Sequence, residues 1–181
     1  MNHKPYRFFL GANSSQGFVS FFENALEDDA IRQNFIFKGG PGCGKSTAMK
    51  QAAQEGRRRQ QPMEIIHCSS DPSSLDGVLF PEQGKALYDG TAPHTIDLPF
   101  PGAQGGYILP PPFLSEEELV QKADALQQVQ QKLSACYRQV FTLTAAAGHG
   151  HHRPGDPPGK NPRPGEKTLP VRHHPRGAAS L

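Results

Sequence analysis

Nine consecutive residues, 39–47, constrain the fold of this chain more than any other segment. They read Gly-Gly-Pro-Gly-Cys-Gly-Lys-Ser-Thr and fit the pattern G-x-x-x-x-G-K-[ST], whose defining positions are Gly39, Gly44, Lys45 and Ser46. The pattern describes a loop between a strand and a helix, in which backbone N–H groups point at phosphate oxygens. Glycines permit this because no Cβ blocks the approach of the anion. The segment therefore predicts a strand–loop–helix unit that binds the phosphates of a nucleotide.

The residues on either side of the loop have the composition that this unit requires. Residues 34–38 (NFIFK) are a short apolar run that predicts a strand, and residues 45–59 predict a helix. In such a unit Lys45 is expected to reach the β- and γ-phosphates, and the Ser46 hydroxyl to bind the accompanying Mg²⁺. A glycine-rich turn without a ligand is the alternative. With ATP and Mg²⁺ as the expected ligands, the predicted nucleotide-binding residues are Gly39, Gly40, Pro41, Gly42, Cys43, Gly44, Lys45, Ser46 and Thr47.

Charge and cysteine content argue against several other classes of protein. Residues 148–181 carry a net charge of +4 and the rest of the chain −2, so the folded part has no charge excess that favours nucleic acid binding. The three cysteines are few and without a pattern, which favours a reducing cytoplasm over a disulfide scaffold. No apolar run has the length of a membrane span, and the N-terminus lacks the apolar core of a signal peptide. We expect a cytoplasmic protein that does not contact a membrane.

Weaker patterns predict the elements around the loop. The spacing of phenylalanines and neighbouring apolar residues predicts a helix over 17–30, and an apolar run predicts a strand at 64–68. High proline and glycine content predicts an irregular segment over 99–112. A capping-box pattern at Ser115 predicts the start of one long amphipathic helix over 115–147.

These elements predict an α/β fold of the P-loop NTPase type, a three-layer parallel sheet with a long C-terminal helix. Only three or four strands precede that helix, so we expect the sheet to be incomplete. The predicted parts are a nucleotide-binding domain (1–112), a long amphipathic helix (113–147) and a tail (148–181). We interpret the tail as disordered or as translated out of frame, because its periodicity stops and Pro, Gly and His dominate. Metal binding by its histidines is the alternative, although no Cys or carboxylate stands at ligand spacing.

Catalysis at a phosphate loop needs a carboxylate that holds Mg²⁺. Asp89 is the leading candidate, because it follows the apolar run 86–88 and a strand beside the loop strand commonly ends in such an Asp. A turn Asp before Gly90 is the alternative interpretation, and Asp97 is the second candidate for the metal. His94 stands where a γ-phosphate sensor or general base would stand. The predicted catalytic residues are Lys45, Asp89 and His94, and the predicted metal ligands are Ser46 and Asp89.

One absence favours hydrolysis of ATP over transfer to a small acceptor, and a second favours adenine over guanine. No arginine occurs between Arg59 and Arg138, although small-molecule kinases commonly bring lid arginines onto the transferring phosphoryl group. The chain also lacks an Asn-Lys-x-Asp sequence of the kind that selects guanine, which makes adenine the expected base.

Several strings, taken in order, resemble a family of bacterial P-loop proteins described as predicted ATPases or nucleotide kinases, found mainly in spore-forming Firmicutes. The strings lie at 9–13, 17–18, 39–47, 66–72, 74–78, 81–82 and 89–94. The resemblance covers about residues 6–147. Members of the family contain the P-loop module twice, so the resemblance implies that this chain corresponds to the first module, with an unrelated segment from residue 148 onwards.

Three functions follow as hypotheses. The leading one is a Mg²⁺-dependent ATPase module that turns over slowly or is coupled to a partner. The second is a nucleoside, nucleotide or other small-molecule kinase, whose acceptor would lie near residues 71–82. The third is a non-catalytic ATP-sensing module that binds a protein partner, or a second copy of itself, through helix 115–147.

Overall fold

The computed structural model describes residues 4–110 and 115–150. Within them the strands are β1 (Tyr6–Phe8), β2 (Gly11–Ser14), β3 (Gly17–Ser20), β4 (Gln33–Phe37), β5 (Glu64–His67), β6 (Leu75–Phe80), β7 (Lys85–Asp89) and β8 (Gly105–Ile108). The helices are α1 (Phe22–Leu26), α2 (Lys45–Arg58), α3 (Glu116–Gln121) and α4 (Ala123–Gly150), and one 3-10 turn covers Pro81–Gln83. The predicted α/β class is confirmed.

Six of these strands form one mixed sheet in the order β1-β5-β6-β7-β4-β8, and β2 pairs with β3 in a separate hairpin. β4 runs parallel to β7 and β8, but β6 runs antiparallel to both of its neighbours. The predicted sheet of three or four strands is therefore wrong in strand number, and its predicted parallel direction is wrong at β6. Residues 68–74 join β5 to β6 and residues 81–84 join β6 to β7, and such short connections cannot return the chain to start a parallel strand.

The helix predicted over 17–30 is a strand followed by one short helix. Gly17 adopts a left-handed φ of 103°, and the chain turns there from β2 into β3. The Ser14 hydroxyl donates to the Gly17 carbonyl at 2.8 Å and accepts from the Gln16 N–H at 3.1 Å, which stabilises this turn. Helical spacing of apolar residues indicated a helix throughout the segment, but only α1, with Phe22 fully buried, adopts one.

The irregular segment predicted over 99–112 contains a strand. β8 is an edge strand parallel to β4, and Gly105 pairs with Asn34 in its register. Gly105 has a φ of 123°, and a Cβ at this position would collide with the Asn34 backbone. The glycine content that predicted a loop instead permits the close approach of two strands.

The long C-terminal helix begins as predicted. The Ser115 hydroxyl accepts from the Glu118 N–H at 3.2 Å, and the Glu118 carboxylate accepts from the Ser115 N–H at 2.8 Å, so the capping box is confirmed. The single helix predicted over 115–147 is divided, because the backbone at Lys122 (φ −97°, ψ 2°) leaves the helical range between α3 and α4. α4 continues past the predicted end, and most of the predicted tail, residues 151–181, lies outside the described residues.

The hydrophobic core lies on both faces of the sheet. Neighbouring residues of one strand alternate between the faces: Ile36 of β4 belongs to one cluster and Phe37 to the other. α2 covers one face through Met49 and Ala53, and α1 packs on the opposite face, where Phe22 meets Tyr88. Burial of these large side chains contributes about 1.5–3 kcal/mol each and holds the strand that leads into residues 39–47.

α3 and α4 have an apolar, solvent-exposed surface. The exposed large side chains on it are Leu119, Val120, Leu126, Val129, Leu133, Val140 and Leu143. In the described part of the chain, none of the helices combines the length and the apolar character that crossing a membrane would require.

Candidate phosphate-binding site

Residues 39–44 connect β4 to α2, and Lys45, Ser46 and Thr47 form the first turn of α2, as the sequence motif predicts. Gly42 and Gly44 adopt left-handed φ values of 79° and 89°, which residues with a Cβ rarely adopt. At Gly39 a Cβ would lie only 2.8 Å from the Cys43 sulfur. These three glycines allow the backbone to curl tightly ahead of the helix, so the glycine pattern is explained by the geometry of the loop.

The ammonium group of Lys45 lies inside this loop. The residue is only 7% exposed, and its Nζ donates to the carbonyls of Gly39 at 2.6 Å and Gly40 at 2.9 Å. The Cys43 sulfur lies 3.7 Å from the same nitrogen. A buried ammonium requires hydrogen-bond acceptors or an opposite charge. The carbonyls of the loop thus satisfy the ammonium group of Lys45 at its centre.

Asp89 supplies the opposite charge from the neighbouring strand. β7 lies beside β4 in parallel, and Asp89 at its end is in register with Phe37 at the end of β4. Asp89 Oδ2 lies 3.6 Å from Lys45 Nζ, while Oδ1 accepts from the Thr91 N–H at 2.9 Å and from the Thr91 hydroxyl at 2.5 Å. The prediction that Asp89 ends a strand beside the loop strand is therefore confirmed. It also forms the turn that was the alternative interpretation.

Ser46, the other predicted metal ligand, connects α2 to the sheet. Its Oγ accepts from the Leu75 N–H at 2.9 Å, at the start of β6. Hydroxyl and carboxylate oxygens such as those of Ser46 and Asp89 are the ligand types that Mg²⁺ prefers. Among the described residues no three His, Cys, Asp or Glu side chains are grouped as a metal site. A Mg²⁺ ion here would take its remaining ligands from the nucleotide and from water.

His94 forms a buried pair with Asp76, a partner that the sequence did not predict. Its Nε2 is 3.2 Å from Asp76 Oδ2, and the exposed fractions of the two side chains are 6% and 7%. The imidazole ring lies 4.5 Å from the Phe22 ring, between centroids. The Asp76–His94 pair therefore lies next to Phe22 of α1, and the His94 N–H donates to the Thr91 carbonyl in the turn after Asp89. Sequence spacing gave no signal for this pair, because residues 76 and 94 are brought together only by the pairing of β6 with β7.

The pKa of His94 is raised above its ordinary value. Burial is the strongest single influence and would lower it, but the hydrogen bond and charge of Asp76, together with the charge of Asp89, outweigh burial. Because the folded pKa exceeds the unfolded one, protonation of His94 stabilises the fold fully below about pH 6.5, and this contribution is lost as the pH rises through the folded pKa.

A pH-dependent loss of stability is therefore expected. Urea unfolding at about pH 6 and about pH 8 should show a larger decrease in the free energy of unfolding for the wild type than for His94→Gln. Equal decreases in the two proteins would show that the Asp76–His94 pair does not contribute in this way.

Other predicted residues lie away from Lys45 or at the rim of the loop. Asp97, the second candidate for the metal, lies between β7 and β8 and not at the end of a strand. Its carboxylate pairs with Lys38 at 2.8 Å. The pKa of Asp97 is lowered mainly by the hydrogen bond from Lys38 and, to a smaller extent, by the positive charge of Lys38. The exposed residues of the predicted nucleotide-binding set are Gly40, Pro41, Gly42 and Thr47.

Lys38 is a residue at this site that sequence reasoning missed. Its Nζ donates to the carbonyl of Gly90 at 3.1 Å and to the carbonyl of Ile96 at 2.7 Å, as well as to Asp97. It thereby ties the segment after Asp89 to the end of the loop strand. The only signal for it in the sequence is its position immediately before the glycine-rich loop.

Comparison with known proteins identifies no relative of this chain. No protein-family model matches the chain, and no curated protein or solved structure matches it significantly.

Proposed function

We propose that this chain binds ATP and Mg²⁺ at residues 39–47 and hydrolyses the nucleotide slowly as a P-loop ATPase module. The observation that carries the proposal is the approach of Asp89 Oδ2 to Lys45 Nζ, 3.6 Å apart, at the carboxyl ends of the adjacent parallel strands β4 and β7. A phosphate loop and a carboxylate at the end of the next strand are the two parts that a P-loop site uses to hold a Mg²⁺–nucleotide complex. The proposal includes the P-loop NTPase fold and a place in the family of duplicated P-loop modules.

The loop and Lys45 would bind the phosphates. Lys45 Nζ donates to the carbonyls of Gly39 and Gly40, and phosphate oxygens would replace these acceptors with charged ones. The first N–H groups of α2, which begins at Lys45, have no partner within the helix and favour an anion. Together these groups supply the positive charge that the β- and γ-phosphates require.

Ser46 and Asp89 would hold the Mg²⁺ ion. The ion would neutralise charge on the phosphates and orient the γ-phosphoryl group when bound. Asp89 is kept in place by the two hydrogen bonds from Thr91 to its Oδ1. Its second carboxylate oxygen is paired with Lys45, so the Asp89 side chain would link the Lys45 ammonium to the proposed Mg²⁺ ion.

His94 fits a positioning role better than the predicted role of general base. A general base must reach the attacking water, directly or through one water molecule. The side chain is 94% buried, its Nε2 lies on Asp76 and its ring lies against Phe22. We therefore assign to His94 the task of fixing the turn that begins at Asp89.

Replacing Asp89 by asparagine is expected to weaken Mg²⁺–ATP binding by about tenfold. Without Mg²⁺ the affinity for ATP should not fall, because the variant also removes a negative charge near the phosphates. Calorimetric titrations with Mg²⁺ and with EDTA would measure both effects. Asp97→Asn is the matched control, since Asp97 is exposed and paired with Lys38. Loss of the same affinity in both variants would contradict the metal role of Asp89.

A non-catalytic ATP-sensing module is the second candidate, and the exposed apolar surface of α3 and α4 favours it. Leu126, Val129 and Leu133 on α4 are each about half exposed or more. Such a surface marks a site of protein association. Sedimentation of the chain with and without ATP tests this candidate, which requires a nucleotide-dependent change in mass and no turnover.

A further inference from the structure

A groove lined by basic side chains lies on the α2 side of the sheet. Its volume is about 380 Å³, and both polar and apolar side chains line it. The lining residues are Arg7, Lys50, Ala53, Gln54, Arg57, Ile65, His67, Ser73 and Leu75. Among the described residues that line the groove there is no carboxylate, and its three basic side chains give it a net positive charge; the carboxylate of Asp71 lies at its edge and accepts hydrogen bonds from Ser73.

The three permanent cations of the groove come from two separate elements. Lys50 and Arg57 stand two turns apart on α2, and Arg7 lies on β1 at the edge of the sheet. Within the described residues none of the three forms an ion pair with a carboxylate. By contrast, Arg58, the last residue of α2, and Arg59, which follows it, both pair with Glu55. Arg7 and Arg57 are therefore available to a ligand, and Lys50 interacts with Asp71 only beyond ion-pair distance, whereas Arg58 and Arg59 are already neutralised.

Arg7 is held at the groove by a chain of hydrogen bonds. The carbonyl of Pro72 can only accept, so His67 Nδ1, at 2.7 Å from it, carries the proton. His67 Nε2 is then free to accept from Arg7 Nη1 at 2.9 Å. This arrangement fixes one N–H group of the guanidinium and leaves others for a ligand. A planar guanidinium with several remaining donors is suited to phosphate oxygens.

The groove lies along the face of α2 that begins at Ser46 of the candidate nucleotide site. Ser46, Lys50, Gln54 and Arg57 follow one another at helical spacing along one face of α2. Leu75 lines the groove, and its N–H donates to Ser46 Oγ. Leu75 thus connects the lining of the groove to the residue proposed to bind Mg²⁺.

We propose that this groove is a second anion site, which binds the phosphate group of a small phosphorylated molecule. Lys50 and Arg57 contact the phosphate from α2, and Arg7, oriented by His67, contacts it from β1. The proposal goes beyond the proposed function and does not depend on it, because its cations are separate from Lys45.

The test is a titration of the full ¹⁵N-labelled chain with phenyl phosphate, followed by the backbone amide shifts. The expected result is a saturable shift at Lys50, Gln54 and Ser73. Amides of residues 40–46 report on the phosphate loop separately, so failure of the nucleotide proposal and failure of this one are distinguishable. Absence of groove shifts at millimolar phenyl phosphate would overturn the proposal.

Two double variants with equal loss of charge sharpen the test. Lys50→Gln with Arg57→Gln should weaken phenyl phosphate binding by about fivefold or more, since charge-assisted hydrogen bonds are lost. Arg58→Gln with Arg59→Gln should change it less than about twofold, because those side chains lie outside the groove lining. Equal weakening in both would mean that the net charge of the helix end, and not the groove, attracts the ligand.

A final experiment tests whether the groove binds a short single-stranded RNA instead of a small molecule. Binding of a 12-nucleotide RNA at the same amides, about a hundredfold tighter than phenyl phosphate and steeply weakened by salt, would assign the groove to a polynucleotide and overturn the small-molecule proposal. Binding of the RNA no tighter than phenyl phosphate supports it.

Discussion

Replacing Lys45 by alanine is expected to lower the affinity of the chain for ATP by about a hundredfold or more. The substitution removes the only side-chain cation that the described structure places at the centre of the loop, where Nζ donates to the carbonyls of Gly39 and Gly40. It also leaves Asp89 without its 3.6 Å partner, so the remaining carboxylate would repel the nucleotide. Calorimetric titration with ATP and Mg²⁺ measures the loss.

Lys85→Ala is the control for this experiment. Lys85 is exposed at the start of β7, so the variant loses the same charge without touching the loop. Urea unfolding of both variants separates loss of binding from loss of folding. ATP affinity within about threefold of wild type in folded Lys45→Ala would show that residues 39–47 do not bind the nucleotide.

The second large effect is on stability. Gly105→Ala is expected to destabilise the fold by about 3 kcal/mol or more, because its Cβ would overlap the backbone of Asn34 and its φ is 123°. Gly105 pairs with Asn34 where β8 joins β4, the strand that leads into the phosphate loop. The clash would therefore separate the edge strand and loosen the entry to the site. Urea or thermal unfolding gives the change in free energy of unfolding.

Gly106→Ala is the matched control, one residue further along the same strand. A Cβ at Gly106 meets nothing within 4 Å. We expect a change below about 1 kcal/mol for this variant. Similar destabilisation by the two substitutions would mean that the contact between Gly105 and Asn34 does not determine the stability of this edge.

The part of the candidate site that could be predicted is the part encoded by consecutive residues. The loop at 39–47 has a local pattern whose glycines and lysine each have a defined task, so it was found from spacing alone. Asp89 was found because an apolar run precedes it and because a parallel neighbour of β4 must end at the same edge of the sheet. Both inferences needed only local sequence and one rule of topology.

The parts that were missed depend on contacts between distant segments. The Asp76–His94 pair and the contact of Lys38 with the carbonyls of Gly90 and Ile96 exist only because separate strands and turns meet. Likewise, the local sequence around Gly105 predicts a loop. Its role in a strand follows only from its close contact with the Asn34 backbone. Arg7 and Arg57 show the same limitation, since nothing in their sequence positions places both on one groove.

The antiparallel strand β6 was missed for a different reason. Its residues, Leu75–Phe80, are almost all buried, and such a run does not reveal the direction of a strand. The direction follows from the short connections to β5 and β7, and those lengths depend on knowing where each strand ends.

Titration of the wild-type chain with ATP, once with Mg²⁺ and once with EDTA, tests the central claim most directly. We predict one binding event per chain, with a dissociation constant in the micromolar range that rises by about tenfold when Mg²⁺ is removed. No measurable binding at about millimolar ATP in either condition would contradict the claim that this chain is a nucleotide-binding protein.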